Sequence, residues 1–114
     1  MGFAMYTTDT PITKTSSSIL CMSKDEVSAC EPTACINCGR CVDACPSRII
    51  PSRLADFAER HDEEAFLKFN GLECVECGSC SYVCPAKRQL KQAIGSMRKT
   101  ALANKRKNRI ERKR

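Results

Sequence analysis

The feature that most constrains this 114-residue chain is a cysteine array that occurs twice. Residues 35–46 read CINCGRCVDACP, and residues 74–85 read CVECGSCSYVCP. The cysteine spacing is the same in both arrays, with an offset of thirty-nine residues: Cys35, Cys38, Cys41 and Cys45 are followed by Cys74, Cys77, Cys80 and Cys84. Four thiolates per array predict two sites that each bind a thiophilic metal group.

Three kinds of cross-link are compatible with ten cysteines in a chain whose core must be modest. Disulfides need an oxidising compartment, and the first twenty residues lack the basic segment and continuous apolar run of an export signal. Structural zinc sites combine two Cys-x-x-Cys pairs, or one pair with histidines. His61 is the only histidine and is far from both arrays in sequence, so we assign it no role.

The spacing C-x2-C-x2-C-x3-C-P is instead typical of bacterial 4Fe-4S proteins. Three cysteines on a tight loop can hold three corners of one cube, and in two-cluster ferredoxins the fourth cysteine binds the other cube. We therefore predict two 4Fe-4S clusters with crossed ligands. Cluster 1 is assigned to Cys35, Cys38, Cys41 and Cys84, and cluster 2 to Cys74, Cys77, Cys80 and Cys45.

Other residues within and near the arrays lead to further expectations. Gly39 and Gly78 each follow a middle cysteine, where the lack of a β-carbon lets the backbone turn close to sulfur. Cys21 and Cys30 lie outside the repeat and are predicted to be small buried hydrophobic residues. Four aliphatic residues among the ligands are expected to limit solvent access to the sulfurs: Ile36, Val42, Val75 and Val83.

Helical periodicity surrounds the arrays and predicts a mainly α fold. Between them, gaps of three and four predict a core-facing helical stripe, on one helix or two short ones, formed by Leu54, Phe57, Ala58, His61, Ala65 and Phe69. Pro51 is suited to the first helical turn, and the acidic residues from Asp62 could begin a second helix. After Pro85, a second apolar stripe predicts a helix that ends near residue 104.

These patterns divide the chain into three parts. Residues 31–104 are predicted to form a helical ferredoxin-like domain with two clusters. Residues 1–30 are Thr/Ser-rich and are predicted to be a short irregular or β segment, with strands at Ala4–Thr7 and Ile19–Met22. Because a lone hairpin is marginal in water, we expect this segment to be the remnant of an upstream domain. Residues 105–114 are predicted to be a basic tail.

Charge is divided unevenly between the two ends. Twelve basic residues and only Glu111 follow Pro85, which gives this part a net charge of +11. A basic run is usually a solvated tail; the more specific interpretation is contact with an anionic membrane surface or an acidic partner protein. Nucleic acid binding is disfavoured because no aromatic residues that could stack on bases lie among the basic ones.

Taken together, the chain resembles the C-terminal part of RnfC, the C subunit of the Rnf electron-transport complex. The resemblance rests on three stretches: DTPITKTSSSIL, PTACINCGRCVDACPSRIIPSRLADFAER and GLECVECGSCSYVCPAK. It implies electron transfer between reduced ferredoxin and NAD, coupled to movement of sodium ions or protons across a membrane. It also implies a peripheral subunit on the cytoplasmic side, with all eight ligand cysteines present.

Members of this family resemble one another in an upstream domain that binds FMN and NADH through glycine-rich loops. No such loops are found in this sequence, so the chain is expected to be a fragment or a split version of the family's full-length protein. The sequence also contains no acid–base pair and no nucleophile–base arrangement. We therefore expect the oxidoreductase activity to belong to the assembled translocase complex, in which this chain is an electron carrier without a catalytic site of its own.

Two alternatives from other classes are compatible with the residues. The domain could conduct electrons within a soluble flavin-linked oxidoreductase, which would reduce reversibly without fractionating with membranes. It could also be a nucleic-acid-binding protein with a structural cluster, which would show salt-dependent binding and no need for redox activity.

Overall fold

The computed structural model describes residue 5, residues 7–26 and residues 29–114. Within these residues, all regular secondary structure is helical, which confirms the predicted mainly α class. The α-helices are α1 (Arg40–Ala44), α2 (Pro51–Glu59), α3 (Glu63–Lys68), α4 (Ser79–Val83) and α5 (Leu90–Glu111), and a 3-10 helix spans Gly71–Glu73.

The cysteine repeat is part of a longer structural repeat. Helix α4 begins thirty-nine residues after α1, and α5 begins thirty-nine residues after α2. The left-handed backbone positions recur with the same offset: Asn37 and Glu76, Gly39 and Gly78, Arg48 and Lys87. Helix α1 packs against α4, and α2 packs against α5. Each helix therefore contacts its own counterpart in the other repeat.

The core lies mainly between α2 and α5. Leu54 and Ala55 of α2 are buried against Leu90 and Ile94 of α5 in one hydrophobic cluster. Pro51 occupies the first turn of α2, where its fixed φ suits the helix and its missing N–H costs nothing. Cys41 and Cys80, the third cysteines of the two arrays, also lie in this cluster. The ligand loops are thus attached directly to the core.

The predicted stripe between the arrays does not continue as one surface. His61 has a left-handed φ of 56° and is exposed, so the chain leaves α2 before α3 begins. The Asp62 carboxylate then caps α3 by accepting the Ala65 N–H over 3.1 Å. Because of this break, the apolar spacing of α2 does not carry over to α3. Phe66 is the fully buried residue of this segment. Phe69 is instead 41% exposed, and its ring contacts the Phe57 ring with 5.1 Å between the ring centroids.

The N-terminal segment differs from the β part of its prediction. Residues 19–22 form no strand, and their apolar side chains, among them Ile19 and Leu20, are exposed because no neighbouring strand pairs with them. Most of the strand predicted at Ala4–Thr7 lies outside the described residues. The segment joins the domain at Thr33, whose backbone N–H donates to the Ala86 carbonyl over 2.9 Å.

Helix α5 ends at Glu111 and not near residue 104. Residues 105–111 continue the helix although all of them are exposed, so the sequence stripe marks where packing ends and not where the helix ends. None of the described helices is both long and apolar enough to cross a membrane.

Candidate metal centre

Both ligand loops have the same local geometry. The residue two positions after the first cysteine is left-handed, which turns its N–H back toward that cysteine. The Asn37 N–H donates to the Cys35 sulfur and the Glu76 N–H donates to the Cys74 sulfur, each over 3.4 Å. Gly39 and Gly78 follow with φ of 75° and 80°, and a β-carbon on either would meet no atom within 4 Å. The expected glycine turns are therefore confirmed.

A cavity brings together four of the predicted ligands. It is lined by Cys74, Cys77 and Cys80 of the second array and by Cys45 of the first. The rest of the lining is mostly apolar, including Ile49 and Ile94, but it also contains Glu76 and Lys91. Cys84, the fourth cysteine of the second array, is not part of this lining. The grouping matches the crossed set predicted for cluster 2.

The thiols around this cavity differ in their electrostatics. Burial is the largest influence on Cys80 and on Cys74, and it raises the pKa of both thiols. The charges of Glu76 and Cys45 also raise the pKa of Cys74. At Cys77 the pKa is lowered, chiefly because the Ser79 hydroxyl stabilises the thiolate by hydrogen bonding.

The cysteines predicted to form the first set are less enclosed. Cys35 and Cys38 are exposed, Cys41 is buried on α1, and Cys84 is half-buried at the end of α4. Cys84 lines an open groove together with residues of α1, including Arg40 and Asp43. The fourth cysteine of each array thus lies against the other repeat.

Sequence reasoning missed two charged side chains at these loops. Arg88 follows the second array but contacts α2, where its Nη2 donates to Asp56 Oδ1 over 2.8 Å. Burial lowers the pKa of Arg88, but Asp56, Glu59 and the Cys35 sulfur raise it by more, so the net shift is upward. Glu76 lines the cavity of the second set, and its Oε1 is buried without a hydrogen-bond partner among the described residues.

The donors of both loops are cysteine thiols, which are the ligands of iron–sulfur clusters. Within residues 5, 7–26 and 29–114, no three His, Cys, Asp or Glu side chains converge closely enough to hold one metal ion. Ligands of a 4Fe-4S cube each bind a different iron, so their sulfurs lie further apart than four thiolates around zinc. Turned loops, N–H donors to sulfur and an apolar cavity with four cysteines meet the requirements of such a group.

Two predictions about neighbouring residues are wrong. Cys21 and Cys30 are exposed, and the Cys30 thiol donates to the Glu26 carbonyl over 3.4 Å. Neither cysteine is packed against the core, because no other element of the described structure covers the segment that contains them. Among the aliphatic residues of the arrays, Val42 and Val83 are half-buried, but Ile36 and Val75 are 65% and 55% exposed.

Comparison with known proteins places the site in a class. The sequence profile of the 4Fe-4S dicluster domain matches residues 34–88, a stretch that includes both arrays and the helices between them. This part of the chain is therefore similar in sequence to iron–sulfur domains of the dicluster class.

The relatives define the particular family. The chain is 41% identical over 107 residues to the C subunit of the Na(+)-translocating ferredoxin:NAD(+) oxidoreductase complex of Acetobacterium woodii, a match that covers 94% of this chain and 24% of the relative. It is 50% identical over 95 residues to the C subunit of the proton-translocating complex of Clostridium ljungdahlii, covering 82% of this chain and 21% of that relative. The C subunit of the ion-translocating oxidoreductase complex of Methanosarcina acetivorans gives 45% over 93 residues, again 82% of this chain and 21% of the relative.

The chain is thus a homologue of one segment of these proteins, and the predicted resemblance to the C subunit of the Rnf complex is confirmed. It spans about a quarter of the length of the curated relatives that it matches.

Proposed function

We propose that this chain binds two 4Fe-4S clusters and transfers electrons. The observation that carries the proposal is the cavity in which Cys45 joins Cys74, Cys77 and Cys80, because it gathers one complete ligand set from both arrays. The repeat supports the second set, since the loop before α1 has the same backbone turns as the loop before α4. Cluster 1 takes Cys35, Cys38, Cys41 and Cys84.

The protein supplies ligation, orientation and shielding. When bound, the clusters supply one-electron transfer. The left-handed turns hold backbone N–H groups against the first sulfur of each loop, where they stabilise thiolate charge. Ile49 and Ile94 exclude water from the second site. Burial of Cys41 and Cys80 anchors both loops to the core, so that the ligands stay in place when the charge of the site changes.

We further propose that the chain acts within an ion-translocating ferredoxin:NAD oxidoreductase complex. The named relatives are subunits of such complexes, which favours this context over a soluble oxidoreductase or a nucleic-acid-binding protein. In this scheme the direct partners are other subunits, and ferredoxin is a partner only indirectly. FMN and NAD would bind to an upstream domain that corresponds to the part of the relatives beyond the matched segment.

The basic end of the chain supports a peripheral position at the cytoplasmic side of the membrane. Helix α5 carries exposed cations on several faces beyond Asn104, among them Lys105, Arg106 and Arg109. No continuous apolar face accompanies them, so the proposed contact is with anionic headgroups at the surface and not insertion into the bilayer.

Anaerobic reconstitution of the full chain tests the electron-transfer proposal. We expect about eight irons and eight sulfides per chain, four of each per cube. The visible absorption should be broad and should be bleached by dithionite. Two zinc ions without sulfide, or a chromophore that does not respond to dithionite, would contradict the proposal.

A further inference from the structure

A buried arginine lies beside the first ligand loop without being a ligand. The Arg88 side chain is only 11% exposed. Its Nη2 lies 2.8 Å from Asp56 Oδ1 and 3.5 Å from Glu59 Oε1, both on α2. Two carboxylates on one helix therefore fix the position and orientation of the guanidinium.

The other terminal nitrogen of the guanidinium, Nη1, is still able to donate a hydrogen bond. Arg88 Nη1 is buried and has no hydrogen-bond partner among the described residues. Buried donors are rarely left unpaired, and those that are require an explanation. Cys35 is one of the groups that raise the pKa of this guanidinium, after Asp56 and Glu59.

The backbone explains why these two residues meet although they are far apart in sequence. The Thr33 N–H and hydroxyl both donate to the Ala86 carbonyl, over 2.9 Å and 3.4 Å. This pairing ties the chain two residues before Cys35 to the chain two residues before Arg88. These hydrogen bonds between the two segments bring the backbone at Arg88 near the first ligand loop.

The internal repeat provides a comparison site. The counterpart of Arg88 in the first repeat is Ile49, which is buried and lines the cavity of the second cysteine set. The basic residues near that second set come from other positions, Lys91 and Arg98 of α5. Of the two equivalent positions, only position 88 carries a guanidinium, because position 49 is an isoleucine.

We infer that Arg88 is a positioning residue for cluster 1: held by Asp56 and Glu59, it donates to the Cys35 thiolate and raises the reduction potential of that cluster. The inference rests on the proposed function. Reduction adds one electron and makes the site more negative, without forming or breaking a bond. A fixed positive charge and a hydrogen bond to sulfur stabilise the reduced state more than the oxidised state.

A redox titration of the reconstituted full chain, followed by paramagnetic resonance, tests the inference. In the Arg88→Gln variant, the reduced-to-oxidised ratio of cluster 1 at a fixed potential should fall about tenfold, which corresponds to about 59 mV for a one-electron couple. The signal of cluster 2 should titrate as in the unmodified protein. A Cys38→Ala variant, which lacks a cluster 1 ligand, identifies which signal belongs to which cluster.

Two further variants separate a charge effect from loosened packing. Arg88→Lys keeps the positive charge but loses the planar guanidinium donors, so the potential of cluster 1 should fall less than in Arg88→Gln. Arg98→Gln is the matched control at the other site, because Arg98 interacts electrostatically with Cys74. It should shift cluster 2 and leave cluster 1 unchanged.

An unchanged cluster 1 potential in Arg88→Gln, or an equal shift of both clusters, would overturn the inference. If Arg88→Gln fails to incorporate iron, Arg88→Lys decides: a lower cluster 1 potential with an unchanged cluster 2 potential supports the inference, and unchanged potentials of both clusters overturn it. Unmodified protein that binds no clusters would instead overturn the proposed function, and the inference with it.

Discussion

At the residue scale, the left-handed backbone positions concentrate around the ligands. Asn37 and Glu76 lie within the ligand loops, and Arg48 and Lys87 follow the fourth cysteines by three residues. Each of these four residues has a β-carbon, and the left-handed conformation costs such a residue about 1–2 kcal/mol. Backbone strain of this kind persists where the surrounding structure demands it. In this protein, the left-handed positions set the direction in which the chain enters and leaves each cysteine array.

Replacing Arg48 by glycine should relieve this cost. Arg48 has a φ of 53° and an exposed side chain, so Arg48→Gly should stabilise the cluster-loaded protein by about 1 kcal/mol. The free energy of unfolding from anaerobic urea titration measures the effect. Arg53→Gly, at an exposed position inside α2, is the control and should instead destabilise by about 1 kcal/mol. Destabilisation by both variants would contradict the strain argument.

At the element scale, the short 3-10 helix fixes how the chain returns from α3 to the second array. Gly71 begins this helix and is buried directly against the ring of Phe66. A β-carbon at Gly71 would overlap the ring atoms, and Phe66 is fully buried and cannot move freely. The glycine is therefore required for close packing and not for a special φ.

Gly71→Ala should consequently destabilise the protein by about 1–3 kcal/mol through overpacking. Thermal or urea unfolding of the loaded protein measures this loss. Glu73→Ala, at an exposed position of the same 3-10 helix, should change stability little. If the two variants had equal effects, the contact with Phe66 would not be the cause.

The end of α5 has a different relation to the fold. Asn104 makes the last side-chain contact with the domain, where its Nδ2 donates to Glu63 Oε2 over 2.7 Å. Beyond it, α5 extends about 10 Å further to Glu111, at about 1.5 Å per residue, with exposed side chains only. The free energy of unfolding therefore should not depend on residues 105–111.

Removing residues 105–114 should leave the unfolding midpoint nearly unchanged and should weaken sedimentation with anionic vesicles at low salt. The physical reason is the loss of seven basic side chains that make no packing contact. A full-length variant with Lys105, Arg106, Lys107 and Arg109 changed to glutamine keeps the length and tests charge alone. Equal vesicle binding by all three proteins would show that the segment is merely solvated.

At the scale of the whole molecule, the crossed ligands would join the two repeats. If Cys45 binds with Cys74, Cys77 and Cys80, then Cys45→Ser should damage cluster 2, although Cys45 is closer in sequence to the other array. Cys84→Ser should likewise damage cluster 1. Metal ligation also contributes folding free energy, so both variants should unfold more easily.

Paramagnetic resonance of the reduced variants measures the outcome, with Cys38→Ser and Cys77→Ser as references for the two loops. The crossed arrangement requires Cys45→Ser and Cys77→Ser to alter the same signal. If Cys45→Ser and Cys38→Ser alter one signal and leave the other intact, each array holds its own cluster.

The sequence predicts much of this molecule where local chemistry decides the structure. The helical class, the glycine turns at Gly39 and Gly78, and the start of α2 at Pro51 follow from residue type and spacing. The sequence leaves open whether one helix or two follow Pro51, because the apolar period continues across His61 and only the acidic residues from Asp62 indicate a second helix. The Arg88 network joins residues more than thirty positions apart, so no local pattern contains it.

The pairing of α1 with α4 and of α2 with α5 has a consequence for how the two halves of the chain can differ. Equivalent elements that pack against each other are also found in an isologous dimer, where the same patch of both subunits forms the interface. A peptide containing a single repeat would present the same faces to a second copy of itself. Within one chain, the two halves can carry different residues at equivalent positions, as Ile49 and Arg88 do, whereas two identical protomers could not.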